Sequence, residues 1–221
     1  MERLQRDGHT VHSIANPLRS LAGDSASVAG FLQTIKEPIV LVGHSYGGAV
    51  VSNAATGNPN VKALVYVDGF APDQGENVLQ LAPGSALEAD PATVFDFAPY
   101  PGAPQGDVDA YVKQSLFPST FANDLPTGTG MVLGACQRPA TLSALQAPSG
   151  APAWKTAPSW YVLGTVDKVI PPDAQRTMAE RARSQITEIG ASHLSMVSHP
   201  DEVARTIATA VQGVMATERA A

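Results

Sequence analysis

The chain has 221 residues, 44% of them hydrophobic, enough to bury a substantial core within one domain. Its formal net charge is −6 with no basic patch, which argues against nucleic-acid and anionic-membrane partners. The single cysteine, Cys136, excludes an intrachain disulfide, and five histidines without a Cys/His cluster argue against a structural metal.

Met1 to Gly8 reads as the tail of a helix with Gly8 as its stop, and Met1 to Thr10 is too polar for a signal peptide. His9-Thr10-Val11-His12-Ser13-Ile14 then reads as a strand. Ala22 to Ile35 carries Val28, Phe31, Leu32 and Ile35 at helical spacing, with Asp24 or Ser25 available as a cap. No apolar run in the chain approaches the roughly 18 residues of a membrane span. With one cysteine and no leader, the expected localisation is cytoplasmic.

Pro38-Ile39-Val40-Leu41-Val42 is an all-apolar strand, and Ala49 to Ala55 opens a helix of small residues. Between them, Gly43-His44-Ser45-Tyr46-Gly47-Gly48 places G-x-S-x-G at a sharp strand-to-helix turn. This is the layout of a nucleophile elbow, which raises a serine hydroxyl at the top of a sheet. Flanking glycines let strand and helix approach each other. The serine backbone is strained, and the helix N-terminus favours developing negative charge. The N–H of Tyr46, the residue after the serine, is the expected oxyanion donor.

Val61 to Val67 forms another strand, closed by Asp68. From about 71 to 158 proline and glycine become dense, and the stretch reads as a cap of short helices and loops inserted within a single domain of residues 1–221. Asp107 to Leu116 and Met131 to Leu145 are its expected helices. Phe95, Phe97, Tyr100, Tyr111, Phe117, Phe121 and Trp154 are candidates to line the site beneath it, or to form a plain seam with the sheet. Cys136, in a small-residue stretch with no nearby base, reads as a packing thiol.

Ser159 to Gly164 is a buried strand on which Trp160 and Tyr161 face opposite sides, and Asp167 lies in the loop just past it. A helix at about 172–183 and a short strand at 185–189 follow, which puts His193 on the loop after that strand. A last helix, Asp201 to Met215, carries Val203, Ile207, Ala210, Val211 and Val214 on one face. Ser45, Asp167 and His193 thus share the rim at the carboxyl ends of the strands, where open α/β sheets bind ligands. Their chain order is that of an elbow serine and its partners. Ser45 would attack, His193 would take and return the proton, and Asp167 would hold the imidazole. Asp68 is the rival for the acid and His199 for the base; His9, His12 and His44 read as surface or packing residues.

GHSYGG at 43–48, VYVDGFAPDQG at 65–75, YVLGTVDKVIPP at 161–172 and GASHLSMVSHPDEVA at 190–204 together resemble the α/β-hydrolase superfamily. The chain is similar to bacterial single-domain serine hydrolases near the plant methyl esterase and hydroxynitrile lyase branch. The resemblance implies a mostly parallel sheet flanked by helices, and carboxylic ester hydrolysis with no metal or organic cofactor. In the lyase branch a lysine follows the histidine, whereas Leu194 follows His193 here. In the superfamily an early strand also ends in a His-Gly loop that donates a second oxyanion N–H, and that strand lies between the 9–14 strand and the elbow strand. Neither is found ahead of residue 9, so the N-terminus reads as truncated or minimal, with the 9–14 strand expected to pair directly with the elbow strand. An open edge left by the absent strand would favour a homodimer.

The expected function is serine-dependent hydrolysis of a small carboxylic ester. The alternatives are other reactions of the same triad (acyl transfer, perhydrolysis, C–C cleavage) and a non-catalytic relative that binds small apolar ligands.

Overall fold

The computed structural model describes residues 1–220. Helices α1 (Glu2–Arg6) and α2 (Leu21–Leu32) precede β1 (Ile39–Ser45), α3 (Tyr46–Ala54) and β2 (Val61–Gly69). Then come α4 (Pro91–Val94), β3 (Phe95–Ala98), β4 (Asp109–Val112), α5 (Phe117–Thr120), α6 (Thr127–Ala135), β5 (Ala140–Thr141) and α7 (Leu142–Gln146). The chain closes with β6 (Ser159–Gly164), α8 (Pro172–Arg181), β7 (Gln185–Ile189), α9 (Ser195–Ser198) and α10 (Pro200–Ala220). Strands β1, β2, β6 and β7 form a parallel sheet in that spatial order, and β3, β4 and β5 form a small antiparallel one.

Apart from Lys62, every residue of β2 and β6 is buried, because both faces of the parallel sheet are covered. Ala63, Val65, Val67, Trp160 and Val162 meet Val203, Ala210 and Val214 of α10 on one face. Leu64, Tyr66, Tyr161 and Leu163 share the other core with Val50 and Val51 of α3 and Met178 of α8. The buried phenols are satisfied: Tyr66 Oη lies 2.7 Å from Ser52 Oγ, and Tyr161 donates to the Gly69 carbonyl. Among the described residues no helix is long and apolar enough to cross a membrane.

Several expectations are corrected. Residues 9–14 form no strand, and β1 pairs only with β2 among the described residues, so the elbow strand is the sheet edge. Of that segment only Ile14 packs against the core, which leaves no buried face to fix a ladder register. The chain just after it is held elsewhere: Arg138 and Thr141 bond the carbonyls of Asn16, Leu18 and Arg19. α2 is capped by Ser20, whose Oγ accepts the Gly23 N–H, so Asp24 and Ser25 lie inside the helix. Asp107 to Leu116 contains β4 instead of a helix, because Asp109 to Val112 pairs with Phe95 to Ala98. Met131 to Leu145 is not one helix, because α6 ends at Ala135 and Pro139 cannot continue it. Cys136 is exposed at the end of α6 and is not a packing thiol; α6 buries only Gly130 and Gly134, against Pro118 and Phe117.

Candidate active site

Ser45 joins β1 to α3 with its backbone at φ 52° and ψ −128°, a region non-glycine residues rarely occupy. The turn is tight in two places. A Cβ on Gly43 would lie 2.5 Å from the Gly47 carbonyl oxygen, and one on Gly48 would lie 2.4 Å from the Phe70 carbonyl oxygen. Gly47, the second glycine of the motif, has open space in that direction, so the close approach rests on Gly43 and Gly48. Tyr46 is the first residue of α3, and its N–H has no carbonyl partner within the helix. Its phenol donates to Asp24 Oδ2 at 2.8 Å and anchors the elbow to α2; burial and the Asp24 carboxylate hold that phenol well above its ordinary pKa.

Three loops then converge. Ser45 Oγ lies 2.8 Å from His193 Nε2, and His193 Nδ1 lies 2.8 Å from Asp167 Oδ2. His193 and Asp167 are buried, while Ser45 is half-buried. The Asp167 carboxylate accepts four hydrogen bonds. Oδ1 takes the N–H groups of Val169 at 2.7 Å and Ile170 at 3.0 Å, and Oδ2 takes His193 and Gln175 Nε2, each at 2.8 Å. Burial alone would push the His193 imidazole down, but the charge and hydrogen bond of Asp167 leave it above its ordinary value.

Gln175 was absent from the sequence expectation. Its signal was a fully buried amide on the same face of α8 as Ala174, Met178 and Ala179. His44 also has a part beyond packing, since its Nε2–H donates to the His193 carbonyl at 2.8 Å and the ring centroids lie 4.8 Å apart. Burial, then the charge of His193, hold His44 down to about 3 and keep it neutral. Ser192, next to His193, is gripped by Asp124 through its N–H and Oγ, and by the Phe121 carbonyl at 3.0 Å. The Phe121 ring meets His193 edge-on at 5.2 Å, with Phe117 stacked behind it at 4.6 Å.

The other candidates sit apart. Asp68 is buried at the end of β2 and bonds Ser195, not the imidazole. His199 Nδ1 bonds Ser198 Oγ at 2.9 Å, and His12 packs against Phe31. Trp154 bonds the Pro72 carbonyl, Tyr100 bonds Asp107, and Phe95 packs on Phe97. Tyr111 lies on β4, where it pairs with Asp96. Among the described residues no group of three or more His, Cys, Asp or Glu could hold a metal ion.

The model of the alpha/beta hydrolase family matches residues 3–206. A carbendazim hydrolyzing esterase of Nocardioides sp. (strain SG-4G) is 29% identical over 93 residues, which cover 36% of this chain and 38% of that protein. The aligned stretch thus spans well under half the length of that relative. Polyneuridine aldehyde esterase superposes with a TM-score of 0.76 at 20% identity, over 94% of this chain and 90% of its own. An extracellular alpha/beta-hydrolase from a Paenibacillus species gives 0.74 at 20% identity, over 95% and 90%. A pyrethroid hydrolase from Sphingobium faniae JZ-2 gives 0.71 at 22% identity, over 94% and 88%. These superpositions show a shared fold, and the match to the family model extends over most of the sequence: the chain belongs to the alpha/beta hydrolase family.

Proposed function

We propose that the chain is a serine-dependent carboxylic ester hydrolase. Ser45 is the nucleophile, His193 the base, Asp167 the orienting acid and the Tyr46 N–H an oxyanion donor. The observation that carries this reading is the continuous chain of two 2.8 Å hydrogen bonds from Ser45 Oγ through the His193 ring to Asp167. The esterases among its relatives favour an ester as substrate.

In this mechanism His193 Nε2 takes the Ser45 proton as Oγ attacks the ester carbonyl carbon. The π electrons move to oxygen, and the oxyanion meets the Tyr46 N–H at the positive end of α3. Collapse breaks the bond to the alcohol oxygen, which leaves with the proton from Nε2. Water then repeats the sequence on the acyl-enzyme and releases the carboxylic acid. Asp167 accepts the Nδ1–H throughout, which fixes the tautomer and stabilises the imidazolium. Residues 71–158 serve as a cap. A cleft of about 670 Å³ is lined by Gln114, Pro118, Asn123 and Met131 and by Lys168, the residue after Asp167; Ser45 and His193 do not line it.

The test is p-nitrophenyl butyrate hydrolysis by the chain beside Ser45→Ala. Turnover that falls by about a thousandfold or more in the variant, with an unchanged circular dichroism spectrum, supports the reading. Equal, negligible rates from both folded proteins would overturn it.

A further inference from the structure

Asp68 is a fully buried carboxyl beside the site that the proposed mechanism leaves unused. It ends β2 at φ 42°, a left-handed conformation that Asp and Asn tolerate better than most side chains. Its Oδ2 accepts the hydroxyl of Ser195, two residues past His193. Its Oδ1 has no donor, although it is closed to water. Two main-chain carbonyl oxygens share the space beside Gly164 with it. The point where a Cβ on Gly164 would sit lies 2.8 Å from Asp68 Oδ1, 2.7 Å from the Ala191 carbonyl oxygen and 3.1 Å from that of Ser192. An ionised oxygen there would have no hydrogen bond of its own to offset the loss of water. A protonated one becomes a donor that either carbonyl can accept.

We propose that Asp68 is a positioning residue held as a neutral carboxylic acid. Its Oδ1 proton is available to one of the carbonyls of Ala191 and Ser192 while its Oδ2 holds Ser195, so that it braces the loop that carries His193. The role assigned to His193 above is assumed here.

The charge state matters to the chemistry. Ionised Asp68 would be a second negative charge beside an imidazole that already faces Asp167, and two carboxylates would keep the base protonated and idle. A neutral Asp68 leaves Asp167 as the one charged partner. Burial, assisted by the charge of Asp167, lifts the Asp68 carboxyl to about 7, against the opposing pull of His193 and Ser195. The titratable groups that act on it are His193 and Asp167 on their loops and Tyr161 on β6, whose phenol burial drives well up; none is a lysine or arginine. His193 and Asp68 compete for a proton, and the lack of any donor to the buried Oδ1 favours the carboxyl.

The full chain is compared with Asp68→Asn and Asp68→Leu by infrared difference spectroscopy and by the pH dependence of kcat and KM for p-nitrophenyl butyrate. Asn suits the left-handed backbone and carries a permanent N–H donor; Leu carries neither donor nor acceptor. The expected result is a protonated-carboxyl band at pH 6 that is absent from Asp68→Asn and fades as pH rises through about 7. Asp68→Leu loses about tenfold or more in kcat with KM little changed, and Asp68→Asn recovers to within about threefold. A missing band at pH 6 overturns the proposal. So does an Asp68→Leu variant that folds and keeps the wild-type kcat. The band requires no turnover, so its presence in an inactive protein would sink the ester reading and leave the neutral carboxyl standing. If Asp68→Leu does not fold, the band still decides.

Discussion

His44 donates its Nε2–H to the main-chain carbonyl of His193 across 2.8 Å, so the residue before Ser45 holds the backbone of the residue that bonds Ser45. The two lie 149 residues apart in sequence, and this contact locks the elbow to the histidine loop. Because His44 is held neutral down to about pH 3, it keeps the same donor and adds no charge beside His193 through the working range. His44→Ala is expected to lower kcat about tenfold with little change in KM, as for the loss of one buried hydrogen bond. His44→Gln, whose amide can donate to the same carbonyl, should recover part of it in steady-state kinetics.

The glycines of the elbow should separate in a thermal melt. Gly48→Ala drives a Cβ into the Phe70 carbonyl, a backbone atom that cannot swing aside, and should cost about 1–3 kcal/mol or more. Gly47→Ala meets open space within α3 and should be neutral or stabilising by up to about 1 kcal/mol, since alanine is the better helix former. Equal losses in both variants would show that the motif's spacing, not the contact with Phe70, sets the requirement.

Asp167 and Gln175 should differ in degree. Asp167→Asn spoils the acceptor for the His193 Nδ1–H and is expected to lower kcat about a thousand- to ten-thousandfold. Gln175→Leu leaves Oδ2 with His193 alone and strips the Ile170 carbonyl of its donor. The expected cost is about 1–3 kcal/mol of stability and up to about tenfold in kcat. Chemical denaturation and initial rates on the same preparations check both.

The pH dependence follows from His193. Its pKa stands above the ordinary imidazole value, so kcat/KM should rise through a midpoint above about 6.5 as the base loses its proton. Asp167→Asn removes the largest influence raising it and should move that midpoint down in whatever activity remains. Stability runs the opposite way. A raised folded pKa means the native state holds its proton longer than the unfolded chain, so the stabilisation is complete below the unfolded pKa and lost as pH rises through the folded one. The stability advantage of the wild type over His193→Gln should therefore shrink across that interval, which melts at a series of pH values would record.

Ser45 and Asp167 were legible in the sequence because each follows an apolar strand that is hard to mistake, and His193 because it comes after them in the chain order of an elbow serine's partners; the structure links the three by hydrogen bonds. The contacts that hold them were not. His44 to His193, Asp124 to Ser192 and Asp68 to Ser195 join segments from 68 to 149 residues apart, and no periodicity encodes such pairs. Gln175 was readable in principle as a polar residue on the buried face of a helix. The 9–14 strand failed for a physical reason: a period-2 pattern needs a face to bury, and this segment commits one residue to the core. β4 was hidden inside a helix-like stretch because its strand character depends on its pairing with β3.

β1, which carries Ser45, is an edge strand of the parallel sheet. Among the described residues it shares a ladder with β2 alone, whereas β2 and β6 each share two. Detaching β1 breaks one set of interstrand bonds, so its free energy of local opening should be the lower of the two classes. Hydrogen exchange should then find the amides of Ile39 to Gly43 less protected than those of Leu64 to Val67, and Ser45 departs with its strand. Under mild denaturant, function would fail while the interior still reports a native protein.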